Sequence, residues 1–378
     1  MKLFHLSDLH IGKRVNEFSM LEDQEYILKV ILQIIDQEKP DAVIIAGDVY
    51  DKSIPSAEAV QLFDDFLVRL SARKLQTMII SGNHDSPERL SFGSRIMSSG
   101  GIHIAPVYSK KIDPLILHDE FGDICFYLLP FIKPAHVKMQ FPDKEIDSYT
   151  KALETALEAI DINPEKRNVL VTHQFVTGAL RTDSEDISVG GSDNVDARVF
   201  AGFDYVALGH LHRPQKAGKD TIRYSGTPLK YSFSEAGHHK SITMVECLEK
   251  GNISIKEIPL VPKRDMRKIR GKYRKIVSKE FYQDKNTEDY LQITLTDEEE
   301  IPEAIGKLRV IYPNIMKLEY DNTRTQKSAV VSGFEKMELK KPLDLFVDFY
   351  EMQNNQGLKK KQKIFLQKLI EDIWEDKV

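Results

Sequence analysis

Ala42-Val43-Ile44-Ile45-Ala46-Gly47-Asp48 is the stretch on which the fold turns. Five apolar residues run without interruption into a Gly-Asp step, the pattern of a short buried strand that stops at a polar loop. The same pattern recurs on either side. Upstream, apolar residues 3–6 lead into Asp8-Leu9-His10; downstream, residues 77–80 lead into Gly82-Asn83-His84-Asp85. Between them, Tyr26, Ile27, Val30, Ile31, Ile34 and Ile35 recur at helical spacing up to Pro40, and Ser56 opens a second helix with Val60, Phe63, Leu67 and Leu70 on one face. This βαβαβ rhythm predicts strands covered by helices. Residues 169–171 and 205–208 read as further strands, and 242–247 with 253–258 as a hairpin about Lys250-Gly251-Asn252. A domain that opens as α/β is therefore expected to close with antiparallel strands.

Five polar signatures directly follow apolar strands: Asp8-Leu9-His10, Gly47-Asp48, Gly82-Asn83-His84-Asp85, Thr172-His173 and Gly209-His210-Leu211-His212. Loops at the carboxyl ends of strands are where α/β folds hold ligands, and neighbouring strands would bring the five to one edge. Taken singly, each has a plain structural reading: an Asp-x-His step caps a helix, Gly-Asp makes a turn, and a lone His is usually structural. The ordered set points to metal instead. Imidazole suits transition ions and carboxylate or amide oxygen suits harder ones, so four His, two Asp and one Asn favour Mn or Fe over Mg or Ca. Asp-x-His and His-x-His each put two ligands on one face of an extended segment. A pair of metals ~3.5–4 Å apart needs a bridging carboxylate, and Asp48, ending a buried strand, is the best candidate.

The 378 residues, 41% hydrophobic and 29% charged, suit two or three globular domains. With a net charge of -5 the whole chain is no polycation, so any nucleic-acid surface must be local. Cys125 and Cys247 sit in apolar, strand-like runs, and no Cys-x-x-Cys pair exists, which leaves a disulfide framework or a zinc knuckle without support. Asp8 and His10 interrupt the apolar start too soon for a secretory segment, and no run approaches a membrane span, so a cytoplasmic protein is expected.

Composition shifts after Pro262. Lys263, Arg264, Arg267, Lys268, Arg270, Lys272, Arg274, Lys275 and Lys279 crowd one stretch in which Asp265 is the only acid. This is either a phosphate-binding patch or a solvated face. A strand (290–295), an acidic turn (297–300), a helix (302–312) and a strand (315–320) follow, enough for a small α+β domain. Residues 321–342 read as a polar linker. Two amphipathic helices come next, marked by Leu345, Phe346, Phe349 and Tyr350, and by Phe365, Leu366, Leu369, Ile370 and Ile373, with Asn354-Asn355-Gln356-Gly357 between them. Such faces on a lone helix pair call for a partner. The domains expected are thus 1–262, 263–325 and 326–378.

The five signatures match, element by element, the pattern D-x-H, GD, GN-H-[DE], H and GH-x-H, and so resemble the calcineurin-like metallophosphoesterase superfamily. Within it, Val189-Gly190-Gly191, residues 203–212 (Phe-Asp-Tyr-Val-Ala-Leu-Gly-His-Leu-His) and 225–235 (Ser-Gly-Thr-Pro-Leu-Lys-Tyr-Ser-Phe-Ser-Glu) resemble the SbcD family of bacterial nuclease subunits. The resemblance implies a four-layer α/β/β/α core, a capping domain over the nuclease cleft and a C-terminal helix pair. It implies two manganese ions, one held by Asp8, His10, Asp48 and His212, the other by Asp48, Asn83, His173 and His210, with His84 acting on the substrate. Asp51 stands where archaeal members carry a further His. DNA is the substrate implied, cut as an exonuclease on double-stranded ends and an endonuclease on single strands and hairpins, with functions in DNA repair, recombination and replication. An SbcC-type coiled-coil ATPase is the implied partner, docked on the helix pair, with a homodimer inside a heterotetramer. No Gly-x-x-x-x-Gly-Lys-Ser/Thr loop occurs, so ATP hydrolysis falls to another chain. The competing readings are a small-molecule phosphodiesterase or phosphatase, and a DNA-end-binding scaffold with a vestigial metal site; the intact ligand set argues against the scaffold.

Overall fold

The computed structural model describes residues 1–182, 185, 194–323, 343–344, 346–347, 349–350 and 357–375. Val189-Gly190-Gly191, residues 324–342 of the linker, Leu345, residues 351–356 and the side chain of Ile373 lie outside the described residues. The chain divides into two units, Met1–Asp265 and Met266–Val378.

The first unit begins β1 (Lys2–Leu6), α1 (Leu21–Glu38), β2 (Ala42–Ala46), α2 (Ala57–Ala72), β3 (Gln76–Ile80), β4 (Ile102–Ala105), β5 (Leu115–Asp119) and β6 (Gly122–Leu129). It continues α3 (Pro134–Gln140), α4 (Tyr149–Glu158), β7 (Arg167–His173), β8 (Tyr205–Gly209), β9 (Gln215–Ala217), β10 (Lys219–Tyr224), β11 (Ser241–Cys247) and β12 (Ile253–Pro259). The strands form two six-stranded sheets, β12-β11-β1-β2-β3-β4 and β9-β10-β8-β7-β6-β5. Strands β1 to β4 are parallel, and the late hairpin β11-β12 adds antiparallel to β1, as the sequence predicted. In the second sheet β10, β8, β7 and β6 are parallel, with an antiparallel strand at each edge.

The two sheets face each other. Leu3, Ile44, Ala46, Met78 and Ile80 from one meet Phe126, Val169, Val171, Tyr205 and Ala207 from the other, all buried. Each fully buried Ile, Leu or Phe stabilises the fold by about 1.5–3 kcal/mol. Alternate residues point the other way, as the strand period requires. Tyr127, Leu170, Val206 and Leu208 bury against Leu153 and Ala156 of α4. Phe4, Val43, Ile45 and Ile79 are buried on the outer side of the first sheet, where α1 and α2 bring their own buried rows: Ile27, Leu28, Ile31, Leu32 and Ile35, and Phe63, Phe66, Leu67 and Leu70. The result is an α/β/β/α stack. Ser56 caps α2 as expected, its hydroxyl accepting from Ala59 N–H. The α1 face is rotated slightly from the one read in sequence: Tyr26 is exposed and Leu28 and Leu32 are buried.

One end of the sandwich is bolted by Arg167, the buried first residue of β7. Its guanidinium pairs with Asp119 at the end of β5 and donates to the carbonyls of Gly122 (2.7 Å), Cys247 (3.1 Å) and Leu248 (2.9 Å). Both sheets are thereby tied at the end opposite His173, the last residue of β7.

The second unit holds a three-stranded parallel sheet, β13 (Met266–Gly271), β14 (Tyr290–Leu295) and β15 (Ile315–Tyr320), with α5 (Ala304–Arg309) between the last two. Ile269, Leu291, Ile293, Leu295, Leu308, Tyr312 and Ile315 form its core. A long helix, α6 (Lys360–Glu375), follows.

Arg167→Ala should destabilise the first unit by about 1–3 kcal/mol, because three carbonyls lose their donor while Asp119 keeps the Met1 ammonium. Partial burial alone would raise the Asp119 carboxyl, yet the Arg167 guanidinium and the Met1 ammonium (2.7 Å) hold it well below the usual carboxylate range. Stability from the pair is therefore complete above the unfolded carboxyl's pKa near ~3.9 and is lost as pH falls toward the folded value. Denaturant unfolding of Asp119→Asn below about pH 4 should show a flatter pH dependence than wild type; equal slopes would remove Asp119 from the account.

Candidate metal centre

β1, β2 and β3 run side by side in one sheet and β7 and β8 in the other. Their carboxyl ends meet across the sandwich. His173 Nδ1 donates to the Ala46 carbonyl at 2.9 Å, which joins the two sheets at this edge. The approach leaves no room for a side chain at two glycines. A Cβ on Gly209 would lie 1.8 Å from the Ala46 carbonyl oxygen, and one on Gly47 would lie 2.4 Å from His173 Nδ1. Gly47 also has φ +87°, where an L residue is strained.

The loops leave the strands through uncommon backbone conformations. Asp8, His10 and Asp48 have φ of 52°, 45° and 49°, and His210 has 105°. Such non-glycine residues cost on the order of 1–3 kcal/mol each and persist where surroundings over-determine them. The surroundings here are explicit. Asp8 N donates to Gly47 O (3.0 Å), His10 N to Asp48 O (3.0 Å) and Ile11 N to Val49 O (2.9 Å), so the first two loops zip together. His210 N donates to Asp8 Oδ1 at 3.0 Å, carrying the zip across to the second sheet.

The side chains so placed converge. Asp8, His10 and His212 offer one ligand atom each within 4.8 Å of one another, as do His10, Asp48 and His84, and Asp8, Asp48 and His173. Asn83 Oδ1 lies 3.0 Å from His173 Nε2 and 3.0 Å from His210 Nδ1. His10 Nε2 lies 3.2 Å from His212 Nε2. All seven sequence-predicted ligands, and His84, therefore stand in one cluster.

The donor set fits divalent cations. His173 Nδ1–H is committed to Ala46, so Nε2 is the position that takes up a proton or a metal, and it faces Asn83 Oδ1 and Asp48 Oδ2 (3.3 Å). Acceptors facing one another require a cation between them, either a proton or a metal. Burial would lower His173, but the Asp48 charge outweighs it and raises the imidazole to about 9. Asp48, although buried, is held well below the carboxylate range by His173. Burial raises Asp8 to about 6 and lowers His210 to about 3. The ring nitrogens His10 Nδ1 and His210 Nε2 are buried without hydrogen-bond partners.

A layer of holders surrounds these residues, and sequence reasoning did not assign it. His212 Nδ1 donates to Glu235 Oε1 at 3.1 Å, and Glu235 in turn accepts from buried Lys240 at 2.6 Å. Lys240 also donates to the His212 carbonyl (2.8 Å). Burial would raise Glu235, but Lys240 and His212 hold it far below its ordinary value. A carboxylate behind a ligating imidazole fixes its tautomer and orientation. Asp85 accepts from the N–H groups of Val49, Tyr50 and Gly82, locking the second loop to the third. Gln24, a polar residue on the buried face of α1, donates to the His10 carbonyl (2.7 Å), and Tyr231 donates to the Leu9 carbonyl (2.6 Å). Tyr231 and Glu235 both lie in the 225–235 stretch singled out in the sequence. Gln24 announced itself only as a polar position in an apolar row.

The other predicted contacts stand elsewhere. Lys263 and Arg264 pair with Glu22, and Arg264 also with Asp23, all in the first unit. Arg267 pairs with Asp289 and Arg270 with Asp321 in the second. Lys268, Lys272, Arg274 and Lys275 are exposed, and no ion pair engages them among the described residues. Phe346, Phe349, Phe365 and Leu369 are exposed, while Tyr350 and Ile370 are half-buried. No helix among the described residues is long and apolar enough to cross a membrane.

Glu235→Gln should weaken divalent-metal binding about 10–100-fold, since it removes the charge that orients His212. Calorimetric titration with manganese measures this, with thermal unfolding as the check on the fold. An unchanged affinity would reduce Glu235 to a partner for Lys240.

Comparison with known proteins agrees with this geometry. Residues 1–214 match the calcineurin-like phosphoesterase family, and residues 262–354 match the SbcD C-terminal family, described as the type 5 capsule protein repressor C-terminal domain. The SbcD subunit of the nuclease SbcCD from Staphylococcus epidermidis is 35% identical over 382 residues, covering 99% of each chain. Among solved structures, a novel archaeal phosphodiesterase matches 69% of this chain and 100% of its own at 14% identity, with a TM-score of 0.32. A protein of Thermus thermophilus matches 68% and 98% at 10% identity, with a TM-score of 0.37.

Proposed function

We propose a function from one premise: the chain belongs to the SbcD family of calcineurin-like phosphoesterases. It is a metal-dependent nuclease subunit that hydrolyses DNA phosphodiesters. The observation that carries this is the convergence of seven ligand side chains from five strand ends on one cluster. We assign Asp8, His10, Asp48 and His212 to one ion and Asp48, Asn83, His173 and His210 to the other, with Asp48 as the bridge. Manganese is the ion this mixture of imidazole, carboxylate and amide donors favours. When bound, such a pair of ions acidifies a water for attack on phosphorus and offsets charge on the phosphate oxygens.

The chain's own residues do the rest. Asp85 and Asp8 hold the loops in register through backbone N–H groups, so the ligands are preorganised. His84 N–H is held by Asp48 Oδ1 at 2.9 Å, and its Nδ1 donates to the Asp51 carbonyl at 3.0 Å. That fixes the tautomer, with Nε2 turned toward the cluster, 4.0 Å from Asp48 Oδ2. In its protonated form His84 donates Nε2–H to the leaving sugar oxygen or to a phosphate oxygen.

The relative's name is that of one subunit of a complex, and we extend the same arrangement to this chain. The exposed apolar residues Phe346, Phe349, Phe365 and Leu369 suit docking on an SbcC-type coiled-coil ATPase. Residues 263–325 act as the capping domain, with Lys268, Lys272, Arg274 and Lys275 as the cations open to DNA phosphates. Two copies of the chain then form a homodimer within a heterotetramer, in the cytoplasm at the nucleoid. Exonuclease action on double-stranded ends, 3'-5', and endonuclease action on single strands and hairpins complete the proposal.

The test uses the purified chain with manganese, end-labelled single-stranded and hairpin DNA, and a chromogenic phosphodiester. Chelation by EDTA should abolish cutting. His84→Ala should keep the metal, measured by elemental analysis, and lose ~10²–10⁴-fold in turnover. Near-full turnover would sink the role of His84. Hydrolysis of the small ester without any DNA cleavage, with or without the ATPase, would sink the nuclease.

A further inference from the structure

Three of the imidazoles in the cluster share one orientation. His173 and His212 turn Nε2 toward the cluster, to Asn83 Oδ1 (3.0 Å) and to His10 Nε2 (3.2 Å). Each commits Nδ1 to an oxygen behind it, the Ala46 carbonyl at 2.9 Å and Glu235 Oε1 at 3.1 Å. His10 also turns Nε2 toward the cluster, yet its Nδ1 is buried and makes no hydrogen bond. His210 alone is reversed, presenting Nδ1 to Asn83 (3.0 Å).

An oxygen does stand behind His10. Asp51 Oδ1 lies 3.8 Å from His10 Nδ1, too far for a hydrogen bond. Lys13 Nζ lies 2.8 Å from that same oxygen, and the Asp51 side chain is 12% exposed. A carboxylate oxygen accepts from more than one donor, so the Lys13 contact leaves room for a second. The Asp51 main chain is fixed apart from its side chain: its N donates to the Ile11 carbonyl (3.2 Å), and its carbonyl accepts from His84 Nδ1 (3.0 Å). The carboxylate torsion of an aspartate is broad, so closing a gap of roughly 0.8 Å asks little of the main chain.

The need to close it comes from a proton. A neutral imidazole that gives its Nε2 lone pair to a cation carries its hydrogen on Nδ1. At His10 that N–H is buried, and a buried donor without an acceptor is costly. We propose that Asp51 is the positioning residue of His10: when a divalent ion occupies the cluster, the Asp51 carboxylate accepts the Nδ1–H of His10, as Glu235 accepts that of His212. This rests on the metal reading and the ligand assignment above. Asp51 works through His10, and no covalent bond is made or broken. The plainer alternative is that Asp51 serves only as the ion-pair partner of Lys13.

Manganese binding to the full-length chain is measured by calorimetry for wild type, Asp51→Ala, Asp51→Asn and Lys13→Met, with thermal unfolding in EDTA as the check on the fold. Asp51→Ala should bind manganese about tenfold more weakly, the usual loss for a partner behind a ligating imidazole. Asp51→Asn keeps an acceptor oxygen and should recover part of that loss; should Asp51→Ala fail to fold, it carries the comparison. Lys13→Met should bind no more weakly than wild type, since it removes a cation and leaves the carboxylate. Loaded with zinc, which is diamagnetic, wild type should show one more slowly exchanging imidazole N–H than Asp51→Ala by NMR. At saturating manganese Asp51→Ala should regain near wild-type kcat on the chromogenic diester, because His84 is held by the Asp51 main chain. Wild-type affinity in the Asp51 variants would overturn the proposal. So would an equal loss in Lys13→Met, which would reduce Asp51 to one half of an ion pair, or a kcat that stays low at saturating manganese. Wild type that binds no manganese would remove the metal reading first, and this proposal with it.

Discussion

The hydrogen bond from His173 Nδ1 to the Ala46 carbonyl joins the two sheets where the chemistry is. It sets the imidazole tautomer, so Nε2 must face Asp48 and Asn83. It also sets how near the sheets come, and hence why Gly47 and Gly209 can carry no side chain. A wider gap would part Asp8 and Asp48, which come from one sheet, from His173, His210 and His212, which come from the other. A ligand set drawn from both layers exists only because the layers touch here. Arg167 does the same at the far end by charge rather than by close packing.

The electrostatics follow from that closeness. Two buried carboxylates and four imidazoles share one site, and their preferences conflict. Burial pushes Asp8 up, while Asp48 stays ionised against a His173 raised to about 9. Without a metal the site relies on a proton at His173 for positive charge, and its other ring nitrogens and oxygens face one another. Divalent cations resolve both conditions together, and for that reason the donor set is better explained as a metal centre than as a hydrogen-bond network.

Much of this could be read before any coordinates. Apolar runs such as residues 42–46 gave the strands, and the polar step after each gave the ligands, because strand ends and ligand loops coincide in α/β folds. Ser56 and Pro40 marked helix boundaries through local chemistry. The holders were harder to see. Glu185 and Glu235 meet His212 only through tertiary folding, and nothing in their local spacing points there. The basic stretch shows the opposite failure. Composition displays charge but hides its partners, so Lys263, Arg264, Arg267 and Arg270 look open in sequence and are paired in the fold. Positive φ at Asp8, His10, Asp48 and His210 also left no trace, since strain belongs to a path of the chain and not to a residue type.

That strain has an evolutionary consequence. At Asp8, His10 and Asp48 the backbone occupies the left-handed region that glycine enters most easily. A drift to glycine there would relieve the backbone and, at the two aspartates, remove a buried charge. At these positions a change that relaxes the backbone also removes a ligand. Thermostability is then a poor proxy for fitness, and selections for sturdier variants will enrich dead ones unless catalysis is scored alongside.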